Sequence, residues 1–169
     1  GGTYTQNFTA NDRDHTIVDN GDGTITITVA ASGSHRFYDA DGKLQRPEYR
    51  EWVFLGAGLD MTYGSRAANA MPDHHMFTNV FVNPASYRAF VGSGRWPDKT
   101  IFMPEVRHTG TDRRPNRAGL FQAEAVGLEA HVLDASKGGS RFYDFDGRSS
   151  SSPLSATSTC NTCHAEHGA

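Results

Sequence analysis

The chain has two cysteines in 169 residues, and both fall in one short stretch near its end, TSTCNTCHAEHGA. Cys160, Cys163 and His164 form the pattern C-x-x-C-H. Thiols at i and i+3 lie on one face of a helical turn. There they can add to the two vinyl groups of a haem, which places the adjacent imidazole to ligate the iron. Three other chemistries use paired cysteines. A thioredoxin-type C-x-x-C opens a helix after a strand in a βαβ unit, but here a Ser/Thr-rich segment precedes it. A zinc site wants four ligands, commonly from two separated pairs, and a second cysteine pair is absent. A disulfide across two intervening residues is strained. Covalent haem is the reading the pattern favours, with Cys160 and Cys163 as anchors and His164 as the metal ligand.

The rest of the chain must build a pocket for such a group. Length and composition predict one domain with a single core. The 16 Lys+Arg against 19 Asp+Glu give a net charge of −3, and no basic run appears, so nothing favours nucleic acid or an anionic membrane surface. No stretch approaches the roughly 18 apolar residues of a membrane span. Ten Phe, six Tyr and two Trp could wall a flat hydrophobic ligand or fill an ordinary core. The polar opening GGTYTQNFTANDRD has the look of a mature or trimmed product.

Local patterns predict the elements. HTIVDNGDGTITITVAA reads as a hairpin, with Thr16–Val18 and Thr24–Val29 as strands and Asp19–Gly23 as the turn. Its aspartates do not have the spacing of a calcium loop. RPEYREWVFLG predicts a helix opened by Pro47 and ended at Gly56. The following AGLDMTYGSRAANAMPDHH loses periodicity and reads as a long loop. Phe77–Val82 is strand-like. Asn83 then reads as an N-cap, Pro84 as the first helical residue and Gly92 as the stop. Thr100–Arg107 is a second strand, in which Pro104 predicts an edge or a bulge. Residues 120–133 fit helix by propensity and strand by alternation. HRFYDADGK (35–43) echoes SRFYDFDGR (140–148) as two similar strand-to-turn junctions, and residues 147–159 read as a flexible tether.

A C-terminal haem motif behind a long, β-leaning body resembles the cytochrome P-460 family, which includes the cytochromes c′-beta. YREWVFLGAGL (49–59), NVFVNPASYRAF (79–90), WPDKTIFMPEV (96–106), FQAEAVGLEAHVLD (121–134) and CNTCHAEHG (160–168) resemble that family's blocks in order. The resemblance implies an α+β fold dominated by an antiparallel sheet with a few short helices. On it, residues 35–169 form the haem domain and 1–34 an N-terminal extension bearing the hairpin. It implies one covalent haem c per chain, with His164 on one side of the iron and the other side open, and it turns residues 120–133 toward strand. Members continue past the motif with a further aromatic stretch, so processing or truncation beyond Ala169 is expected here.

The family's hydroxylamine-oxidising members place an arginine and a glutamate on the open side, which fall on Arg50 and Glu105. A desolvated carboxylate has a raised pKa and can shuttle protons, and a guanidinium can stabilise charge on an iron ligand. Those members also join a lysine to the haem ring, at a position near Asn79. This chain has no lysine between Lys43 and Lys99. That departure favours the cytochrome c′-beta side, which binds nitric oxide beneath an aromatic cap; Phe77, Phe81 and Phe102 are candidates for the cap. The expected function is therefore uptake of nitric oxide or a related nitrogen or oxygen species, with weak peroxidase-like turnover at most. The alternatives are hydroxylamine or nitric oxide oxidation, and a six-coordinate electron carrier using His74, His75, Met76, Met103 or His108. Covalent haem implies export to the periplasm or beyond, a redox partner protein is expected, and family likeness implies a homodimer.

Overall fold

The computed structural model describes residues 15–29, 37–61, 75–111 and 118–167. The opening polar segment, His74 and most of the predicted long loop lie outside the described residues. The chain divides into two compact units, Gly1–Gly33 and Ser34–Ala169.

The first unit holds the predicted hairpin. Strand β1 (His15–Asp19) pairs antiparallel with β2 (Ile25–Val29), His15 opposite Val29 and Asp19 opposite Ile25. The turn spends both aspartates locally. Asp19 Oδ1 accepts from the Gly21 N–H at 2.9 Å and Asp22 Oδ1 from the Thr24 N–H at 2.9 Å. These are Asx-type turn bonds.

The second unit is dominated by a five-stranded antiparallel sheet in the order β4-β5-β6-β7-β8. Its strands are β4 (Val53–Leu59), β5 (Met76–Val82), β6 (Ile101–Gly110), β7 (Phe121–Asp134) and β8 (Gly139–Asp144). A two-residue β3 (Leu44–Gln45) pairs with β9 (Ser150–Ser151). Helix α1 (Pro84–Ser93) joins β5 to β6, and α2 (Thr159–His167) carries the cysteine motif. The fold is α+β and sheet-dominated, as the resemblance implied.

Several local expectations change. The helix expected from Pro47 to Gly56 is a single 3-10 turn, Tyr49–Glu51, followed by β4. Pro47 and the glutamates favour a helix start, but Val53 and Phe54 pair with Val82 and Phe81 of β5, and that ladder outweighs a helix too short to hold itself. Strand β6 is interior, not an edge, and the alternative expectation of a bulge is met two residues on, in register shifts against β7 at Val106/Arg107 and Arg107/Thr109. Pro104 is opposite Val80 on the β5 side, while the β7 ladder passes from Phe102–His131 to Glu105–Leu128. The missing N–H of Pro104 falls in that gap. Residues 147–159 are not a free tether, because Ser150 and Ser151 form β9 and Pro153 bridges to Tyr143. Segment 121–134 is strand, which settles the helix–strand ambiguity.

Asn83 holds the predicted N-terminal position of α1, but its side chain does not cap. Its Oδ1 accepts from the Ile101 N–H at 2.9 Å, and its Nδ2 donates to Ser86 Oγ at 2.8 Å. It thus ties the helix to the sheet from a buried position. The helix runs one residue past Gly92 and ends at Gly94, whose φ of 70° is left-handed. Replacing Asn83 by alanine strands a buried N–H, at a cost of roughly 1–3 kcal/mol. Urea titration should show that loss, with a smaller one for Ser86→Ala.

Side chains directly opposite in an antiparallel pair share a face. One face of the sheet carries Ile101, Met103, Ala130, Val132 and Tyr143, and forms the core with Phe37, Leu44, Tyr49 and Phe145. The other face carries Phe102, His131 and Phe142. Which face each candidate residue occupies therefore decides what it can meet.

Candidate functional site: the cysteine helix and a buried carboxylate

Helix α2 starts at a proper cap. Ser158 Oγ accepts from the Asn161 N–H at 3.4 Å, and the Asn161 side chain donates back to Ser155 O and Ser158 Oγ. The helix has nine residues and buries none of them. A peptide of that length has little stability in water by itself. Cys160, Cys163 and His164 are all half-buried, and both thiols are free.

The His164 ring lies against the sheet face opposite the core. Its centroid is 4.6 Å from Phe142 and 5.2 Å from His131. His131 stacks on Phe142 at 4.6 Å, and its Nε2 is 2.8 Å from Ser140 Oγ. Phe102 stands 5.8 Å from His131, and Trp96 and Phe90 extend the aromatic surface. Burial, with His164 beside it, pushes His131 down to about 4, so it is neutral at pH 7.

The Cys160 thiol does not have the character of a disulfide-exchange nucleophile. Burial, followed by the Glu129 carboxylate, raises Cys160 above its ordinary value. A redox-active cysteine needs the opposite, a stabilised thiolate. No group of three or more His, Cys, Asp or Glu side chains among the described residues is arranged to hold a bare metal ion. Two free thiols and an imidazole on a helix without a buried side of its own, facing aromatic surface, suit a porphyrin held by thioether bonds.

A separate polar cluster is built on Glu105. This residue is 2% exposed and pairs with Asn79 of β5. Tyr49 Oη and Arg50 Nη2 donate to Oε2; Arg107 Nη1 at 2.9 Å and Asn79 Nδ2 at 3.3 Å donate to Oε1. An ionised carboxylate has about four acceptor sites, so these four donors saturate it. The Asn79 amide also exchanges two hydrogen bonds with Gln122, at 2.7 and 2.8 Å. Arg50 lies with its guanidinium carbon 5.0 Å from the Tyr49 ring centroid, and its side chain is 61% exposed.

The sequence reading gave Glu105 a raised pKa, and the structure reverses this. Burial does raise it, but the hydrogen bonds from Tyr49, Arg107 and Asn79, joined by the Arg50 charge, outweigh burial and hold it below the ordinary carboxylate range. The donors were what the sequence reading lacked. Arg107 was detectable in principle, since residues two apart on a strand share a face.

The register separates the candidates. Arg50 and Glu105 come together, and Phe77 and Phe81 share the Glu105 face, opposite Arg107 and Met103. Phe102 pairs with Val82 and His131 and lies on the His164 side. The three phenylalanines therefore do not form one cap. Met103 is fully buried in the core, His75 pairs with Asp60 at 2.6 Å, and Met76 and His108 are opposite each other on the Phe102 face.

A sheet-based body with this helix at its side is that of a covalent haem protein. The chain belongs to the cytochrome P460 family, whose family model matches residues 46–169. The family binds haem c covalently, and this chain is a haem c cytochrome with both its cysteines in the C-terminal region. A search of the curated proteins gives no match. No helix among the described residues is long and apolar enough to cross a membrane.

Proposed function

We propose that this chain is an exported mono-haem cytochrome that takes up a small ligand, nitric oxide or a related nitrogen or oxygen species, and does not oxidise hydroxylamine. The observation that carries this reading is Asn79. It lies near the strand position at which the oxidising relatives, by the resemblance above, join a lysine to the ring, and no lysine stands between Lys43 and Lys99. Its amide is committed to Glu105 and Gln122, and an amide nitrogen is no nucleophile for such a bond. Cys160 and Cys163 supply the thioether sulfurs and His164 the protein ligand. Bound haem would supply the iron that takes the small molecule. Phe102 is the cap candidate on the His164 side of the sheet, where an apolar ring excludes water and favours a neutral diatomic.

A second reading keeps Arg50 and Glu105 as the ligand's polar neighbours. One observation favours it: Asn79 lies against Glu105, so the three residues of the family pattern are gathered in one place. They stand across the sheet from His164, and mutagenesis separates the two readings. Nitric oxide binding to the ferrous protein is measured by stopped-flow absorbance. Phe102→Leu is expected to speed ligand release several-fold, with Arg50→Ala close to wild type. A larger change in Arg50→Ala would give the ligand site to the Glu105 face. Hydroxylamine-dependent reduction of an electron acceptor would overturn the binding reading itself.

A further inference from the structure

We infer that Phe142 and His131 are positioning residues for the iron ligand: their stacked rings form the seat on which the His164 imidazole lies, and Ser140 fixes that seat. The inference rests on the reading of His164 as the ligand. The geometry is specific. Phe142 is buried on strand β8 and His131 is directly opposite it on β7, so two rigid strands hold both rings. Their planes differ by 25° and their centroids by 4.6 Å, a stacked pair. His164 tilts 35° to Phe142 and 57° to His131 and touches both. Ser140, two residues before Phe142 on the same strand, meets His131 Nε2 at 2.8 Å and stops the ring from turning.

Helix α2 buries no residue, so its own packing does little to set the angle of the His164 ring about its Cβ–Cγ bond. The stacked rings are a surface that can do so. The rotation of an axial imidazole controls its overlap with the iron orbitals, and outer groups of this kind tune a metal site through its ligand. His131 does not serve as a second axial ligand in this arrangement. Its ring is in contact with His164, with no space for a macrocycle between them.

The test uses the haem-loaded protein and reads the ligand, not turnover. The variants are Phe142→Leu, Ser140→Ala and His131→Phe; the measurements are the ferric EPR g-anisotropy and the ferrous iron–histidine stretch by resonance Raman. Phe142→Leu is expected to broaden and shift both signals. Ser140→Ala should shift them less and in the same direction. His131→Phe keeps the stacked pair but loses the Ser140 hydrogen bond, so it should shift them about as Ser140→Ala does. Unchanged signals in both Phe142→Leu and Ser140→Ala overturn the proposal, as does a loss of one axial ligand in His131→Phe, which would make His131 a ligand itself. The parent reading has its own control. His164→Gly should lose the iron–histidine stretch and regain it with added imidazole; if it keeps the stretch, His164 is not the ligand and that reading fails first.

Discussion

Replacing Cys160 and Cys163 together by alanine is expected to leave a polypeptide at its bare mass of 18.4 kDa, with any haem removable by acid acetone. The parent protein should instead carry the mass of one haem and hold it through that extraction. The effect is all-or-none because these are the chain's only cysteines. Each single variant should keep one thioether and give a red-shifted ferrous α band, the mark of one unsaturated vinyl. Intact-mass spectrometry with a pyridine haemochrome spectrum checks both. A parent protein found at its bare mass after export would falsify covalent attachment. The loss should also reach the fold locally. With no buried side chain in α2, the helix should fray once the haem is gone, and amide exchange in Thr159–His167 should become fast while β6 and β7 stay protected.

Glu105→Ala is expected to be the most destabilising substitution in the polar cluster. It removes the acceptor of four donors, of which Tyr49 and Asn79 are buried and Arg107 is half-buried. Arg50, well exposed, re-solvates and contributes little to the penalty. Loss of the anion at the centre of a buried pair costs on the order of 3 kcal/mol. The acid response has a definite sign. The folded-state pKa of Glu105 is lowered, so its contribution is present above the unfolded glutamate value of about 4.3 and is lost as pH falls through the depressed folded value. Urea midpoints from pH 7 down to pH 3 should fall more steeply in the parent protein than in Glu105→Gln. Parallel curves would mean that the carboxylate is not held below its ordinary range. The same saturation bears on chemistry: to accept a proton from a ligand, Glu105 must first give up a donor.

The elements that sequence made legible are those whose signal is local. The hairpin followed from two β-branched runs around Asx and Gly residues, and α1 from Asn83–Pro84 with a glycine stop. The haem motif was legible because two thiols and an imidazole at that spacing have few other uses. The 3-10 turn and β4 were misread because Pro47 and the nearby glutamates are genuine helix-start signals, and the strand partner that overrides them, at Phe81 and Val82, lies further along the chain. Pro104 signalled an edge or a bulge: the strand is no edge, but it has register shifts against β7 just past the proline, and no local pattern contains where they fall. For the site, Arg50 and Glu105 came from the resemblance, and the structure joined them. It also separated them from His164, because the face a residue occupies depends on strand parity and register. His131 and Phe142 went unnoticed in the sequence since an ordinary strand would carry the same residues.

The small β3–β9 ladder has a consequence for how the molecule assembles. It joins Leu44 to Ser151, residues near opposite ends of the second unit, whereas the β5, β6, β7 and β8 pairings link successive strands. Long-range closures are entropically late in folding. The attachment helix begins only a few residues after β9, so the cysteine motif belongs to the last part of the chain to be drawn in. Both thiols then remain reachable while the sheet is already built, which suits a protein whose prosthetic group must be joined by covalent bonds before the final contact shuts. Pulse-labelled amide exchange during refolding should show the Ser149–Arg46 backbone bond gaining protection after the β6–β7 ladder. Simultaneous protection would show that closure and sheet formation are one step.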